Sequence, residues 1–444
     1  MTAEKSFVKN TFSLASAELV TKFLGFLLVI YIARVLGDVE FGKYSFALAF
    51  TLLFAFFSDF GLSQLTIREV ANRKEDASAY LGTVSAVKLV LSIATVVLVV
   101  VAINLLGYPY EIIIAVYVAV AYAVVNSFNT FLCSFYRAFE RMEYELLTRV
   151  IEKLIIFPLA IVFLLLGYGF IAVISAFLIG SLVRLGISSV LVAIKFTRPQ
   201  LNFDRSFLRP LFTQALPFGL TTLFVVIYFK IDTIMLSMMV GDAAVGWYNA
   251  SYNIIEGLIA LVAGSLGGVI YPIFSKNSTR SPERLRQMYL QSFQIIFIVG
   301  LLIFVFVEVF SFEIIEILYG PDYQMSALVL QIQIIAFLII CVSTVTSTLL
   351  YSAKMQRIVA IGTSLGALLN VCLNYILIPH YSLFGAAWAT VITELFGFCI
   401  YLYYSTRLLN VSWGDYKSHI LALRENIQLV RNLLKDIAPK VSRS

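Results

Sequence analysis

Read along its length, the chain is a succession of apolar runs of about 20 or more residues, broken by short polar turns. Each run is long enough to cross about 30 Å of hydrocarbon as a helix. The apolar positions are continuous rather than alternating, which excludes the strands of a membrane barrel. The pattern predicts twelve helical spans, at about 11–36, 41–60, 81–106, 111–134, 150–167, 169–194, 213–239, 244–270, 290–311, 325–350, 358–379 and 382–406. The expected fold class is therefore an all-α polytopic membrane protein. The opening "MTAEKSFVKN" does not read as a cleavable signal with a small-residue processing site, so the first span is expected to stay in the membrane.

Two stretches repeat. "GDVEFGKYSFA", from Gly37, and "GDAAVGWYNAS", from Gly241, share Gly37, Asp38, Gly42 and Tyr44 with Gly241, Asp242, Gly246 and Tyr248 at equal offsets. Each is the turn between the first two spans of a six-span block. A weaker echo pairs "YGFIAVISA" (from Tyr168) with "YSLFGAAWA" (from Tyr381) at the last hairpin of each block. Six is even, so both blocks insert in the same orientation. Two parallel six-helix lobes with a cavity between them are the arrangement of an alternating-access transporter. The expected domains are an N-terminal lobe (1–194), a cytoplasmic linker holding Pro199 and Pro210 (195–212), a C-terminal lobe (213–407) and a cytoplasmic tail (408–444). In the tail, Ile420, Leu423, Ile427, Val430 and Leu434 recur at helical spacing among basic residues. That predicts an amphipathic helix on the anionic leaflet, with docking to a glycosyltransferase as the sharper alternative.

Composition agrees with a lipid solvent: 60% of residues are hydrophobic and 13% charged, which rules out a water-soluble globule. Of the 32 basic residues, 26 fall on loops sharing a side with the termini, whereas the opposite loops hold only Arg34 and Lys43. The positive-inside rule then puts both termini in the cytoplasm of a cell (inner) membrane. The pI near 9.0 reflects that bias, not a nucleic-acid surface. The four cysteines lie within spans and only two histidines occur, so no metal-ligand spacing is present.

Beyond these patterns, "KFLGFLLVIYIARVLGDVEFGKYSFALAF" and "DFGLSQLTIREVA" resemble the opening hairpin and first cytoplasmic loop of polysaccharide-biosynthesis flippases. These are the Wzx-like branch of the multidrug/oligosaccharidyl-lipid/polysaccharide (MOP) exporter superfamily. "ALPFGL", "KIDTIMLSMMVGDAAVGWYNAS" and "LFGAAWATVITE" resemble the same family at matching places, so the likeness covers nearly the whole chain. It implies a V-shaped pair of six-helix lobes that turns lipid-linked sugars from the cytoplasmic to the outer leaflet.

Ionisable residues at membrane depth line a cavity or pair with something. Counting about 1.5 Å per residue, Lys22, Arg184, Glu256 and Glu394 fall near mid-span, Lys88 about two turns in from the cytoplasm, and Lys230 and Asp232 outward of centre. An anionic lipid head needs fixed cations, which makes Lys22, Lys88, Arg184 and Lys230 the candidate phosphate-binding cations and Glu256 and Glu394 the cavity carboxylates. Each cation has an ordinary alternative. Lys22 can pair with Glu18 one turn earlier, Lys88 can snorkel, and Arg184 can pair with Glu256 or Glu394. Asp59 reads as interfacial. Lys230 and Asp232, about 200° apart on a helix, must face different partners: the cavity or a midplane carboxylate for Lys230, the C-terminal lobe for Asp232. There Asn370 and Asn374 share a face, as do Thr390 and Glu394. Asp232, Asn370, Asn374 and Thr390 resemble positions at which related flippases and exporters bind sodium, and their oxygens suit a hard monovalent cation. A polar network gluing helices together is the alternative.

The sequence thus predicts a flippase for polyprenyl-linked oligosaccharide, coupled to Na+, H+ or membrane potential, with no other cofactor. Membrane lipids, and a glycan polymerase or glycosyltransferases, are the expected partners. A MATE-like cation-coupled drug exporter is the main alternative. A membrane glycosyltransferase or ligase fits less well, because the outer loops are short and hold no catalytic constellation.

Overall fold

A backbone in hydrocarbon must bond to itself, and every regular element among the described residues is a helix. The computed structural model describes residues 2–201, 205–278 and 281–421, with side chains over 24–201, 211–220, 222–264, 267–278 and 281–419. In chain order the helices are α1 (Thr2–Asp59), α2 (Leu62–Asn72), the single turn α3 (Ala77–Ala79), α4 (Ser85–Leu105), α5 (Tyr110–Ala138), α6 (Met142–Leu165) and α7 (Gly169–Lys195). After them come α8 (Arg205–Met239), α9 (Asp242–Ile259), α10 (Ser265–Ser278), α11 (Pro282–Val309), α12 (Ser311–Tyr319), α13 (Gln324–Ser352), α14 (Gln356–Leu409) and α15 (Trp413–Leu421).

Among the described residues, nine helical stretches are long and apolar enough to cross a membrane. Two of them contain a break: Gly37 in α1 (φ 75°, ψ 174°) and Ser382 in α14 (φ 54°, ψ −136°). Gly37 separates the segments 11–36 and 41–60 of the hydropathy pattern, and Ser382 falls at the junction of 358–379 and 382–406. The positive φ at the first break is one that glycine adopts without a Cβ penalty.

The chain forms two compact units. The first comprises Met1–Gly257, Ser311–Ile332 and Thr363–Ala389; the second comprises Leu258–Phe310, Gln333–Gly362 and Thr390–Ser444. This division follows packing density rather than the sequence repeat.

Within the first unit, α4 and α7 each bury a row of polar residues and turn apolar ones outward. On α4, Lys88, Ser92 and Thr95 are buried at one-turn spacing while Leu89, Val90, Ile93 and Val97 are exposed. On α7, Ser181, Arg184 and Ser188 are buried and Leu182, Val183, Val190 and Ile194 exposed. Lipid is as apolar as a leucine core, so helices gain more by turning small and polar side chains toward each other. Asn129 shows the result, donating to the Ser181 carbonyl (2.9 Å) and hydroxyl (3.0 Å).

The repeated turns meet in this unit. A Cβ placed on Gly42 would collide with the Asp242 carbonyl, and one on Gly246 with the Asp38 carbonyl. Each turn therefore lays its glycine on the aspartate carbonyl of the other, backbone against backbone. Two positions beyond, Tyr44 and Tyr248 are both buried.

In the second unit, the Tyr401 hydroxyl donates to the Val359 carbonyl (3.2 Å), and Arg286 pairs with Asp415 (2.9 Å). Asp415 closes a capping box at the start of α15. Its carboxylate accepts from the Ser412 amide (2.7 Å) and hydroxyl (2.8 Å), while its own amide donates to the Ser412 hydroxyl (3.3 Å). Of the amphipathic positions expected in the tail, the Ile420 side chain and Leu423, Ile427, Val430 and Leu434 lie outside the described residues.

Candidate functional site

The first unit holds a cavity of about 500 Å³ walled by α1, α5, α8 and α9. Its walls follow the repeat. The register that carries Gly37 onto Gly241 carries Ser45 onto Asn249 and Ala49 onto Asn253, and all four line the cavity. Equivalent faces of the two blocks thus look into one space, whose lining is mostly hydroxyl, amide and small apolar groups.

Two charged residues line it, Asp59 and Lys230. Lys230 Nζ lies 3.0 Å from Glu256 Oε1 and 5.6 Å from the centroid of the Tyr252 ring. Both members of the pair keep some exposure, 25% for Lys230 and 40% for Glu256. Asp59 is held from behind. Lys88, fully buried, donates to its carboxylate (2.5 Å), to the Ser127 hydroxyl (2.8 Å) and to the Ser58 carbonyl (3.3 Å). Ser63 donates to the same carboxylate. Lys88 therefore does not snorkel to an interface, and Asp59, interfacial by sequence, stands in the cavity wall. The lysine needs a buried counter-charge, and the end of α1 supplies it.

Arg184 is absent from the cavity lining. Its Nη1 donates to Glu152 Oε2 on α6 (2.9 Å), and its Nη2 to Cys133 Sγ on α5 (3.1 Å). Both charged side chains are 7% exposed. A second buried carboxylate, Glu145, receives two bonds from Arg137 (2.9 and 2.7 Å) and one from Arg149 (2.6 Å). The acids that answer these arginines are thus Glu152 and Glu145, both on α6. The sequence expectation had looked to Glu256 or Glu394.

Asp232 points away from Lys230 into a buried cluster. Tyr248 donates to its Oδ2 (2.6 Å) and Asn374 to its Oδ1 (2.5 Å), while Asn374 also donates to Asn370 Oδ1 (2.9 Å). Asn374 Oδ1 is buried and accepts nothing from a described residue. An orphaned amide oxygen beside a carboxylate is a donor set that a hard monovalent cation would complete. Thr390 and Glu394 belong to the second unit, where both are half-buried. The Lys22 side chain lies outside the described residues.

Sequence reasoning missed Glu152, Asp59 as a cavity residue, Tyr248 as a partner of Asp232, and the amides Asn126 and Asn253. The two amides had a signal, being polar residues inside spans, but the sequence reading of amides was confined to Asn370 and Asn374. For the Arg184 partner no local signal existed, since Glu152 precedes it by 32 positions.

This architecture has known counterparts. An uncharacterized membrane protein of Methanocaldococcus jannaschii is 24% identical over 421 residues, which is 86% of this chain and 80% of that protein. Among solved structures, the lipid II flippase MurJ in an inward closed conformation superposes with a TM-score of 0.75 at 19% identity, covering 95% of this chain and 92% of that one. An inward-facing multidrug resistance MATE transporter of the MOP superfamily superposes at 0.71 and 17% identity, covering 88% and 96%. At these identities the superpositions show a shared fold. The MatE family matches residues 217–376. The family described as "Polysaccharide biosynthesis protein" matches residues 7–278, more than half of the chain. The chain accordingly belongs to the polysaccharide biosynthesis protein family.

Proposed function

We propose that the protein flips a polyprenyl phosphate- or pyrophosphate-linked oligosaccharide from the cytoplasmic to the outer leaflet of a cell membrane, by alternating access of two lobes. Both termini face the cytoplasm in this reading. One observation carries it: a cavity within membrane helices has in its wall a partly exposed cation, Lys230, held by a single carboxylate. Burying a phosphate unpaired is prohibitive. Lys230 can exchange Glu256 for a lipid phosphate, whereas Lys88, fully buried on Asp59, stays where it is. Lys22 remains a second phosphate cation on the strength of the sequence. A cationic drug would need an open carboxylate, and Asp59, the acid in the cavity wall, already holds Lys88.

Coupling to Na+ or H+ is assigned to Asp232, Asn370 and Asn374. The orphaned Asn374 oxygen supports a cation there. Glycan polymerases or glycosyltransferases are the partners this role calls for.

The test is translocation in vesicles of a fluorescent polyprenyl-linked sugar. Wild-type protein should expose the sugar on the far leaflet, and Lys230→Ala should slow it strongly. Transport of amphiphilic cations with no effect on the lipid would establish the exporter instead. Cysteines placed at Asp38 and Asp322 should react with an impermeant thiol reagent outside intact cells, and one at Arg141 should not. The reverse pattern would invert the topology.

A further inference from the structure

The cavity charges are compensated while two of its amides are open. Lys230 is held by Glu256 and Asp59 by Lys88. Asn249 is engaged as well, accepting from Thr233 (3.1 Å) and donating to the Val245 carbonyl (2.9 Å). Asn126 and Asn253 line the same space, and their side chains hold no hydrogen bond to another described residue. Each has one acceptor and two donor hydrogens left over.

Their positions are paired with the charges. Asn253 is one turn before Glu256 on α9, the residue that holds Lys230. Asn126 adjoins Ser127, which receives a bond from Lys88 behind Asp59. At about 1.5 Å per residue, Lys230 lies roughly 16 Å from the turn at Gly241, and Asp59 roughly 33 Å from the matching turn at Gly37. A head group anchored by its phosphate at Lys230 and running toward Asp59 would meet Asn253 first and Asn126 last.

We propose that Asn253 and Asn126 are the sugar-reading residues of this cavity, and that the head group they accept is a glycan bearing hydroxyl or acetamido groups and no acid group. The proposal rests on the flippase reading and specifies its substrate. A sugar hydroxyl both donates and accepts, and so does a primary amide. A uronate would bring a second negative charge to a space whose one exchangeable cation among the described residues is already needed for the phosphate, and would leave that charge buried without a partner.

The experiment is binding to the purified protein, by native mass spectrometry, of three probes: bare polyprenyl phosphate, the same lipid carrying an N-acetylhexosamine, and the same lipid carrying a uronic acid. Wild-type protein should prefer the N-acetylhexosamine lipid over the other two by about tenfold, as expected of one or two net hydrogen bonds. Asn126→Ala with Asn253→Ala should shrink that preference to about twofold or less while leaving affinity for the bare lipid unchanged. A preference that survives in the double variant, or a uronate lipid bound as tightly as the neutral one, overturns the assignment while sparing the flippase reading. A wild-type protein that binds none of the three lipids overturns both.

Discussion

The buried pair Arg184–Glu152 offers the sharpest test of how charges are held here. Arg184→Ala removes the guanidinium and leaves the Glu152 carboxylate, 7% exposed, whose hydrogen bond among the described residues is the one from Arg184. Stranding one member of a buried pair costs about 3–5 kcal/mol. Among the described residues Glu152 has no second donor in place, which sets the expectation at the upper end. The lost contact to Cys133 adds little, because sulfur is a weak acceptor. Replacing both members by apolar residues of similar size removes the stranded charge as well, and such swaps are neutral or stabilising. Thermal unfolding of the purified protein should therefore show Arg184→Met and Glu152→Leu each strongly destabilised and the double variant recovered. Strict additivity of the two losses would refute a pairwise interaction. The same proteins also separate pairing from substrate contact. Arg184 is not in the cavity wall, so the recovered double variant should still translocate lipid-linked sugar. A stable double variant with no transport would put Arg184 back in contact with the phosphate.

Other outcomes follow from single contacts. Gly42→Ala and Gly246→Ala should each destabilise by about 1–3 kcal/mol, the usual cost of overpacking, because the new methyl meets a backbone carbonyl; unfolding temperatures equal to wild type would show that the crossed turns give way freely. Asp232 accepts a hydrogen at both oxygens, from Tyr248 and Asn374, so Asp232→Asn sets donor against donor and removes the charge. Transport by that variant should lose its dependence on Na+ or H+, and an unchanged dependence would leave the cluster a structural one. At α15, the bonds from the Ser412 amide and hydroxyl, followed by Arg286, hold the Asp415 carboxyl below the usual aspartate range. A depressed folded value stabilises above the unfolded one, about 3.9, and that stabilisation is lost as pH falls through the folded value. Protection of the amides at the start of α15, taken relative to their intrinsic exchange rate, should fall only in that acid range, and Asp415→Asn should lose protection at neutral pH; a loss of wild-type protection between pH 6 and 8 would contradict the capping box.

Hydropathy determined the helical, multi-pass class, because in lipid each span must meet its own hydrogen bonds and so can be read locally. The repeat of Gly37-Asp38 on Gly241-Asp242 and the family likeness were equally visible, being matters of order along the chain. The reason for the repeated glycines was not. Gly42 and Gly246 are required because each lies on the aspartate carbonyl of the other turn, and that crossing exists only once the blocks have packed. The charges behave the same way. Sequence could place Lys88, Arg184 and Lys230 at membrane depth, but their partners lie 29, 32 and 26 positions away, on other helices. Asp232 reaches Asn374 across 142. An ion pair depends on a distance of about 3 Å between side chains, and helix periodicity constrains neighbours only three or four positions apart. Which lysine keeps some exposure beside its carboxylate, and which amides of the cavity wall hold no bond to another described residue, were therefore decided by tertiary packing alone.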